Sequence, residues 1–185
     1  MNNILNYIAM KKNILTLFLA SITLAGFSQE TYTLSSESSL TIDGTSTLHD
    51  WTVTANTING NLVAEGNAPK EIDFEVLVAD IKSERGATMD KKTHNALKME
   101  NHPKVTFKFK EVKGGSSVVG TLNIAGHEKE VEIETEMTNA SGQIKIKGEK
   151  PIKLQDYDME PPSAMFGQIV VGDDVVVKFD LVFTK

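Results

Sequence analysis

The sequence predicts an all-β protein, an antiparallel assembly of about eight strands interrupted by one short helix. Three observations carry this. Apolar and polar residues alternate at period two through most of the chain, most clearly where Val131, Ile133, Thr135 and Met137 interleave with Glu130, Glu132, Glu134 and Glu136. Glycine, asparagine and proline interrupt that alternation at short intervals, as in Asn59-Gly60, Gly114-Gly115, Gly126 and Ser141-Gly142. Helical spacing is convincing in only one place, between Asp80 and Pro103.

The N-terminus stands apart from this pattern. Lys11-Lys12 precede the apolar run Ile14-Leu15-Thr16-Leu17-Phe18-Leu19-Ala20, and small residues follow up to Gly26-Phe27-Ser28. That order describes a secretory signal peptide over residues 1–28, with Met10 an alternative start. The run from Ile14 to Phe27 is short for a bilayer span and contains Thr16, Ser21 and Thr23. Cleavage after Ser28 leaves residues 29–185 as a single exported domain, periplasmic or secreted and not integral to the membrane. The segment 1–28 holds two lysines and no acid, so its loss takes the formal net charge from -6 to -8. An acidic chain lacks the cationic face that nucleic acid or anionic lipid requires. Cysteine is absent, which excludes disulfides and a thioether-linked lipid anchor.

Taken in order, Thr31 to Leu34 and Leu40 to Asp43 are extended pieces separated by serines, and Gly44 breaks the pattern. His49, Trp51 and Val53 then share one face of a strand. Asn59-Gly60 suits a tight hairpin turn, or Ile58 and Leu62 belong to one strand bulged at the glycine. Glu71 to Val78 forms the next strand. The helical segment, about 86–100, presents Met89, Thr93, Ala96 and Leu97 at helical spacing and stops before Pro103. Its apolar positions Met89, Ala96 and Leu97, with Met99, form a lid over one end, and Lys91, Lys92 and Lys98 face solvent. Val105 to Val112 and Val118 to Ile124 follow. The carboxylate face of the Val131 to Met137 strand calls for a lysine-bearing neighbour, a role that Lys145 and Lys147 fit. Gln155 to Gly172 reads as a loop in which Asp156, Asp158 and Glu160 are solvated, with Asp173-Asp174 in a turn. The last strand, Val175 to Thr184, puts Val175, Val177, Phe179, Leu181 and Phe183 on one face.

Two sheets packed face to face and a closed barrel both bury one face of every strand, and periodicity does not choose between them. The inward residues would be Trp51, Val53, Ile72, Phe74, Val76, Phe107, Phe109, Leu122, Ile133, Met137, Ile144, Phe179 and Leu181. An eight-stranded barrel either fills its interior with such side chains or holds one small ligand.

Four stretches together resemble the YceI-like family: Gly44-Thr45-Ser46-Thr47-Leu48-His49-Asp50-Trp51; the Asp80 to Pro103 segment ending in His102-Pro103-Lys104-Val105-Thr106-Phe107; Gly120-Thr121-Leu122-Asn123-Ile124-Ala125-Gly126 followed by Val131; and Pro161-Pro162-Ser163-Ala164-Met165-Phe166-Gly167 before Gly172-Asp173-Asp174-Val175. The resemblance runs from about Tyr32 to Phe183. It implies a lipocalin-like antiparallel barrel, open at one end, whose apolar interior binds a long-chain amphiphile such as a polyisoprenoid or the tail of an isoprenoid quinone. Asp90 matches the family's aspartate at the start of the helical segment. Met89 stands where an arginine is usual, and Ala96-Leu97 with Met99 where bulkier apolar residues are.

The chain is therefore expected to be an exported lipid-binding protein in which shape dominates over polar contacts. The expected ligand wall is Trp51, Val53, Ile72, Phe74, Val76, Phe107, Phe109, Leu122, Ile133, Met137, Phe179 and Leu181. The four histidines show no metal-ligand spacing, so no metal or catalytic group is assigned, and no cofactor beyond a bound isoprenoid or other lipid. His49, beside Trp51, is the candidate contact for a ligand head group. The alternatives are a structural or interaction protein with a filled core and, further off, an enzyme acting on a lipid-like substrate.

Overall fold

The computed structural model describes residues 29–66 and 68–185, so the expected signal peptide, residues 1–28, lies outside the described residues. Twelve strands appear: β1 (Gln29–Leu34), β2 (Ser39–Ser46), β3 (Trp51–Ala55), β4 (Ile58–Glu65), β5 (Ala68–Leu77), β6 (Ile81–Ser83), β7 (Lys104–Lys113), β8 (Ser117–Ile124), β9 (His127–Ala140), β10 (Gln143–Lys153), β11 (Ser163–Ala164) and β12 (Ile169–Thr184). Among the described residues one α-helix, Ala87–Ala96, lies between β6 and β7.

Antiparallel pairing runs β1-β4-β5-β7-β8-β9-β10-β12, and β12 returns to β1, which closes an eight-stranded ring. The barrel that the resemblance implied is thus the architecture found. Closure removes most of the free sheet edge, the usual hazard of an open antiparallel sheet. The remaining pieces extend this ring upward. β1 and β2 lie end to end along one edge of β12, where Leu34 pairs with Phe183 and Leu40 with Phe179. β3 and β4 continue each other in the same way, as do β5 and β6, because β2 pairs with β3 and β3 with β6.

The interruptions answer one another. At the first, Ser35 N donates to the Val182 carbonyl at 2.7 Å, and Ser38 Oγ accepts from Val182 N at 2.9 Å. A serine side chain there replaces the missing ladder partner. The other two meet: Asn56 N donates to Asp80 O (3.0 Å), Leu77 N to Thr57 O (3.1 Å) and Thr57 Oγ1 to Asp80 Oδ2 (2.7 Å). These bonds give several of the backbone groups freed by the breaks a partner.

The two ends of the barrel differ. At the end with short hairpin turns, Tyr32, Leu62, Ala64, Ile72, Ile144, Ile146, Leu181 and Phe183 pack into one buried cluster, and Phe183 and Leu62 are wholly buried. This plug closes the barrel. At the other end are two smaller clusters, one around Ile124, Ile152 and Met159 and one around Leu40, Val53 and Ile81, and Ile42, Trp51, Leu97, Val105 and Val177 pack against both.

Several local expectations change. Asn59-Gly60 is not a turn: Gly60 pairs regularly with Phe74 inside β4, and the register shift falls between Val63 and Ala64. The last strand begins at Ile169 rather than Val175, because Ser163–Ala164 folds back on Ile169 and Val170. Gly172-Asp173-Asp174 forms a bulge within β12, not a turn between elements. The β9 carboxylates find different lysines. Lys110 pairs with Glu130, and Lys113 with Glu132 at 2.8 Å, both reaching from β7 across the short side chains Thr121 and Val119 of β8. Lys147 stands opposite Glu136, but Lys145 stands opposite Thr138.

One partner change matters for the site. β9 pairs with β8 up to Glu134 and with β10 only from Thr135 onward. Beyond that point Lys150 Nζ bridges the two strands, donating to the Glu132 carbonyl at 3.0 Å.

Candidate functional site

Above the plug the barrel is hollow. The cavity measures about 590 Å³ and is lined chiefly by apolar side chains from β2, β3, β5, β7, β8, β9, β10 and β12, with the helix and the 154–171 segment around its mouth. That volume lies in the range of ordinary ligand sites.

Glycine explains why so many large rings leave space between them. A Cβ on Gly44 would lie 2.2 Å from Trp51 Cζ2, one on Gly120 2.3 Å from Phe107 Cζ, and one on Gly148 2.9 Å from Phe179 Cζ. Each ring thus occupies the place of a neighbouring strand's missing side chain and lies flat along the wall. Trp51 is held there by its indole N–H, which donates to the Thr45 carbonyl at 3.0 Å. Aromatic cover of strand glycines stabilises a sheet; here it also keeps the interior clear. The sequence carried this signal in Gly44, Gly120 and Gly148, but a glycine inside a strand reads only as a break until its cross-strand partner is known.

Of the expected wall residues, Trp51, Val53, Ile72, Phe74, Val76, Phe107, Leu122, Ile133, Phe179 and Leu181 line the cavity. Phe109 and Met137 do not: they pack against the plug, nearer the closed end, and Ile144 is part of that plug. Facing inward is a matter of parity, whereas lining the hollow also depends on height along the barrel. Sequence reasoning passed over Leu40, Ile42, Val105, Val118, Ile124, Ile152, Val175 and Val177 as wall residues. Most share a face with residues already chosen, so period-two counting was enough to find them. Met159, Pro162, Ile169 and Val171 lie in or beside an irregular stretch and gave no such signal.

The helix covers the mouth through Met89, Lys92, Thr93, Ala96 and Leu97, all on the cavity lining. Asp90 anchors it to β6, its Oδ1 accepting the Ser83 backbone N–H at 2.7 Å. Two expectations fail. The helix ends at Ala96 and Lys98 adopts a φ of 53°, which breaks the helical periodicity, so Met99 is not on the lining. Lys92 does not face solvent alone. It shares the inner face with Met89 and Ala96 at the i−3 and i+4 positions, and its ammonium donates to the Ser163 carbonyl at 2.7 Å. Lys98 forms a second tie, 3.1 Å from Asp158.

That second tie shapes local electrostatics. The Lys98 hydrogen bond, then the charges of Lys98 and His127, hold the Asp158 carboxyl below its ordinary 3.8. Beside it, Tyr157 is buried, and burial followed by the Asp156 charge pushes its phenol above 10.0. Asp156 itself lies 3.5 Å from Lys129. Two of the three loop acids are therefore engaged in ion pairs that clamp the loop.

Several polar groups of the lining come together around His49. Arg85 Nη1 and His49 Nε2 are 2.6 Å apart, and Ser46 Oγ donates to the His49 carbonyl at 2.7 Å. His49, the expected head-group contact, is on the lining with Arg85, Ser46, Ser83 and Lys92. Leu48, on the same rim, is 66% exposed. No group of acidic or histidine side chains among the described residues is arranged to hold a metal ion.

The model of the YceI-like domain matches residues 31–183. Three solved structures share the architecture. BcnA of Burkholderia cenocepacia is 18% identical with a TM-score of 0.67, covering 79% of this chain and 96% of its own. A polyisoprenoid binding domain from Saccharophagus degradans, implicated in plant cell wall breakdown, is 13% identical with a TM-score of 0.66, covering 83% and 97%. The Campylobacter jejuni YCEI protein is 18% identical with a TM-score of 0.58, covering 70% and 82%. No curated protein sequence matches the chain. At these identities the likeness concerns the fold.

Proposed function

The chain belongs to the YceI-like family, and from that premise we propose that it is a binding protein that carries or sequesters a long-chain amphiphile, isoprenoid or isoprenoid-quinone-like, inside its barrel. One observation carries this: a hollow of about 590 Å³ whose aromatic walls lie flat against glycines instead of filling it. The polyisoprenoid binding domain from Saccharophagus degradans, with the same fold, supports the ligand class. Energetics agree. Withdrawing about fifteen carbons from water is worth roughly 12 kcal/mol. That exceeds or matches most estimates of the cost of association, about 4 to 15 kcal/mol. Affinity then scales with chain length, and binding rather than catalysis is the activity. The order of residues 1–28 supports a site of action outside the cytoplasm, periplasmic or secreted, after their removal. The expected wall and lid residues that line the cavity, from Trp51 to Leu181 and Met89 to Leu97, are the proposed contacts.

Organic extraction of protein purified under native conditions, followed by mass spectrometry, tests this. A long-chain amphiphile in near-stoichiometric amount is expected. Protein that extracts empty, and that leaves added C15 to C40 isoprenoids unbound, refutes it.

A further inference from the structure

Among the described residues four large apolar side chains are exposed: Leu48 at 66%, Met165 at 64%, Phe166 wholly and Val170 at 40%. They fall in one place. Met165 and Phe166 form the tip of the β11–β12 hairpin, in which Ser163 pairs with Val170. Thr47 laces the Leu48 loop to that hairpin. Its N–H donates to the Val170 carbonyl at 3.0 Å, and its Oγ1 donates to the Gln168 carbonyl and accepts from Val170 N, both at 3.2 Å. Leu48, Pro162 and Ile169 also lie on the cavity lining, so the patch borders the mouth and carries the apolar interior out to the surface.

The fold itself has no use for these side chains. Met165 and Phe166 hold φ of 49° and 56°, followed by Gly167 at 85°. The left-handed region suits glycine and asparagine; two bulky residues there are strained, and strain of this kind gathers at functional sites. A turn chosen for folding alone would carry asparagine or glycine at such positions. Here it presents a ring to water. Neither 44–49 nor 161–172 contains an aspartate, glutamate, lysine or arginine. Two cations stand against the edge of this uncharged surface, Arg85 beside His49 (2.6 Å) and Lys92 on the Ser163 carbonyl (2.7 Å).

We propose that this patch docks the protein on the surface of a phospholipid bilayer. Phe166 and Met165 enter the interface, Leu48 and Val170 follow at its edge, and Arg85 and Lys92 meet the level of the lipid phosphates. Size and charge favour the bilayer over a second copy of the chain. The four side chains offer roughly 400 Å², about half of the ~800 Å² that each partner of a stable pair buries. In a symmetric pair built on this patch, Arg85 and Lys92 would also be brought toward the same cations of the other copy. A bilayer needs no matched surface, only apolar side chains to insert and cations at its head-group level. Because the chain as a whole is acidic, insertion rather than net charge drives the contact. The purpose of docking rests on the binding function proposed above, since it sets the mouth of the barrel against a source of long-chain amphiphile.

Sedimentation with vesicles of phosphatidylcholine, and of equal parts phosphatidylcholine and phosphatidylglycerol, tests this with no other ligand added. The chain used is residues 29–185, which hold the whole barrel, so that the apolar run at 14–27 contributes nothing. Withdrawing a phenylalanine side chain from water corresponds to about 10- to 100-fold in partition. Phe166→Asn should therefore lower binding to both vesicles by about tenfold or more, while Lys145→Ala, exposed between two residues of the plug, leaves it unchanged. Asparagine suits the left-handed backbone, circular dichroism establishes that the variant is folded, and Met165→Asn is a second variant of the same kind. In Phe166→Trp, brominated lipid should quench the new indole and spare Trp51 on the cavity wall. Failure of the unaltered protein to sediment, equal binding by Phe166→Asn, or complete loss of binding in high salt overturns the docking surface. So does a dimer in analytical ultracentrifugation that Phe166→Asn dissociates, which gives the patch to a second copy. The cargo is read separately by extraction: protein that docks but extracts empty keeps this surface and loses the binding function.

Discussion

Replacing Gly44 with alanine places a methyl carbon 2.2 Å from Trp51 Cζ2, with two further ring atoms within 2.8 Å. Ordinary contact begins at 3.4 Å, so the indole must withdraw by about 1.2 Å. No backbone atom stands among the three nearest neighbours, so the ring, not the strand, is what gives. It can retreat only inward, and in doing so it loses the 3.0 Å bond to the Thr45 carbonyl. Overpacking costs about 1 to 3 kcal/mol, and the lost hydrogen bond about 1 kcal/mol. The sum, about 2 to 4 kcal/mol, corresponds to a fall of roughly 5 to 15 °C in thermal midpoint for a domain of this size. Urea unfolding followed by tryptophan emission measures both stability and the environment of this one indole. In a Trp51→Leu background the alanine should cost far less, which a double-mutant cycle reads directly. Stability within 0.5 kcal/mol of the unaltered protein, about the noise of a neutral surface change, with unshifted emission, would refute the idea that these rings lie on their glycines.

Leu97 lies on the cavity lining at the mouth; Leu97→Trp should shift the preferred isoprenoid to a shorter tail, each excluded five-carbon unit being worth roughly 4 kcal/mol, and an unchanged chain-length profile in competition binding would count against the helix as a lid. In acid, Glu30, Asp43, Glu75, Glu132 and Asp158 act together, since a lysine hydrogen bond is the leading cause that lowers each carboxyl. Folded values below the ordinary 3.8 and 4.5 mean that the stability they add is complete above that range and is lost as pH falls through the folded values. Thermal midpoints should therefore be flat from neutral pH down to about 4.5 and decline below it; a midpoint that rises on acidification contradicts the pairing. Phe166 is wholly exposed at the tip of the β11–β12 hairpin, so Phe166→Ser should change unfolding stability by less than about 0.5 kcal/mol.

Much of this fold was legible because a half-buried strand writes its burial into alternate residues. The β9 segment from Glu130 to Met137 and the inward face Val175 to Leu181 were read directly from period two. Closure was not legible: the Leu34–Phe183 and Leu40–Phe179 pairs join distant segments, and no local pattern encodes them. The resemblance to a family, not periodicity, chose the barrel. Within the site, parity identified Phe74, Phe107 and Phe179, but misplaced Phe109 and Met137, since parity carries no information about depth. Lys92 was sent to solvent because it is charged, although its helical position already put it beside Met89 and Ala96. Arg85 went unnoticed for a related reason. In sequence it is one polar residue in a turn, and only the fold brings it to His49.

β12 touches both β1 and β2 along one edge and β10 along the other, and so is the stave that turns a curved sheet into a vessel. Its pairing with the N-terminal strands reaches from Thr33 to Thr184, 151 residues away along the chain. Loop-closure entropy makes such a join among the slowest to form, and chains dominated by distant strand pairs fold in milliseconds to seconds. The other seven staves follow one another as a meander that can assemble by local hairpins. Refolding should accordingly show hairpin order before a watertight interior, with Trp51 reaching its final environment last, when β12 docks against β2. Until then the cavity has no far wall and its apolar face lies open to water, so a cargo present during that interval would meet the barrel as an unclosed trough.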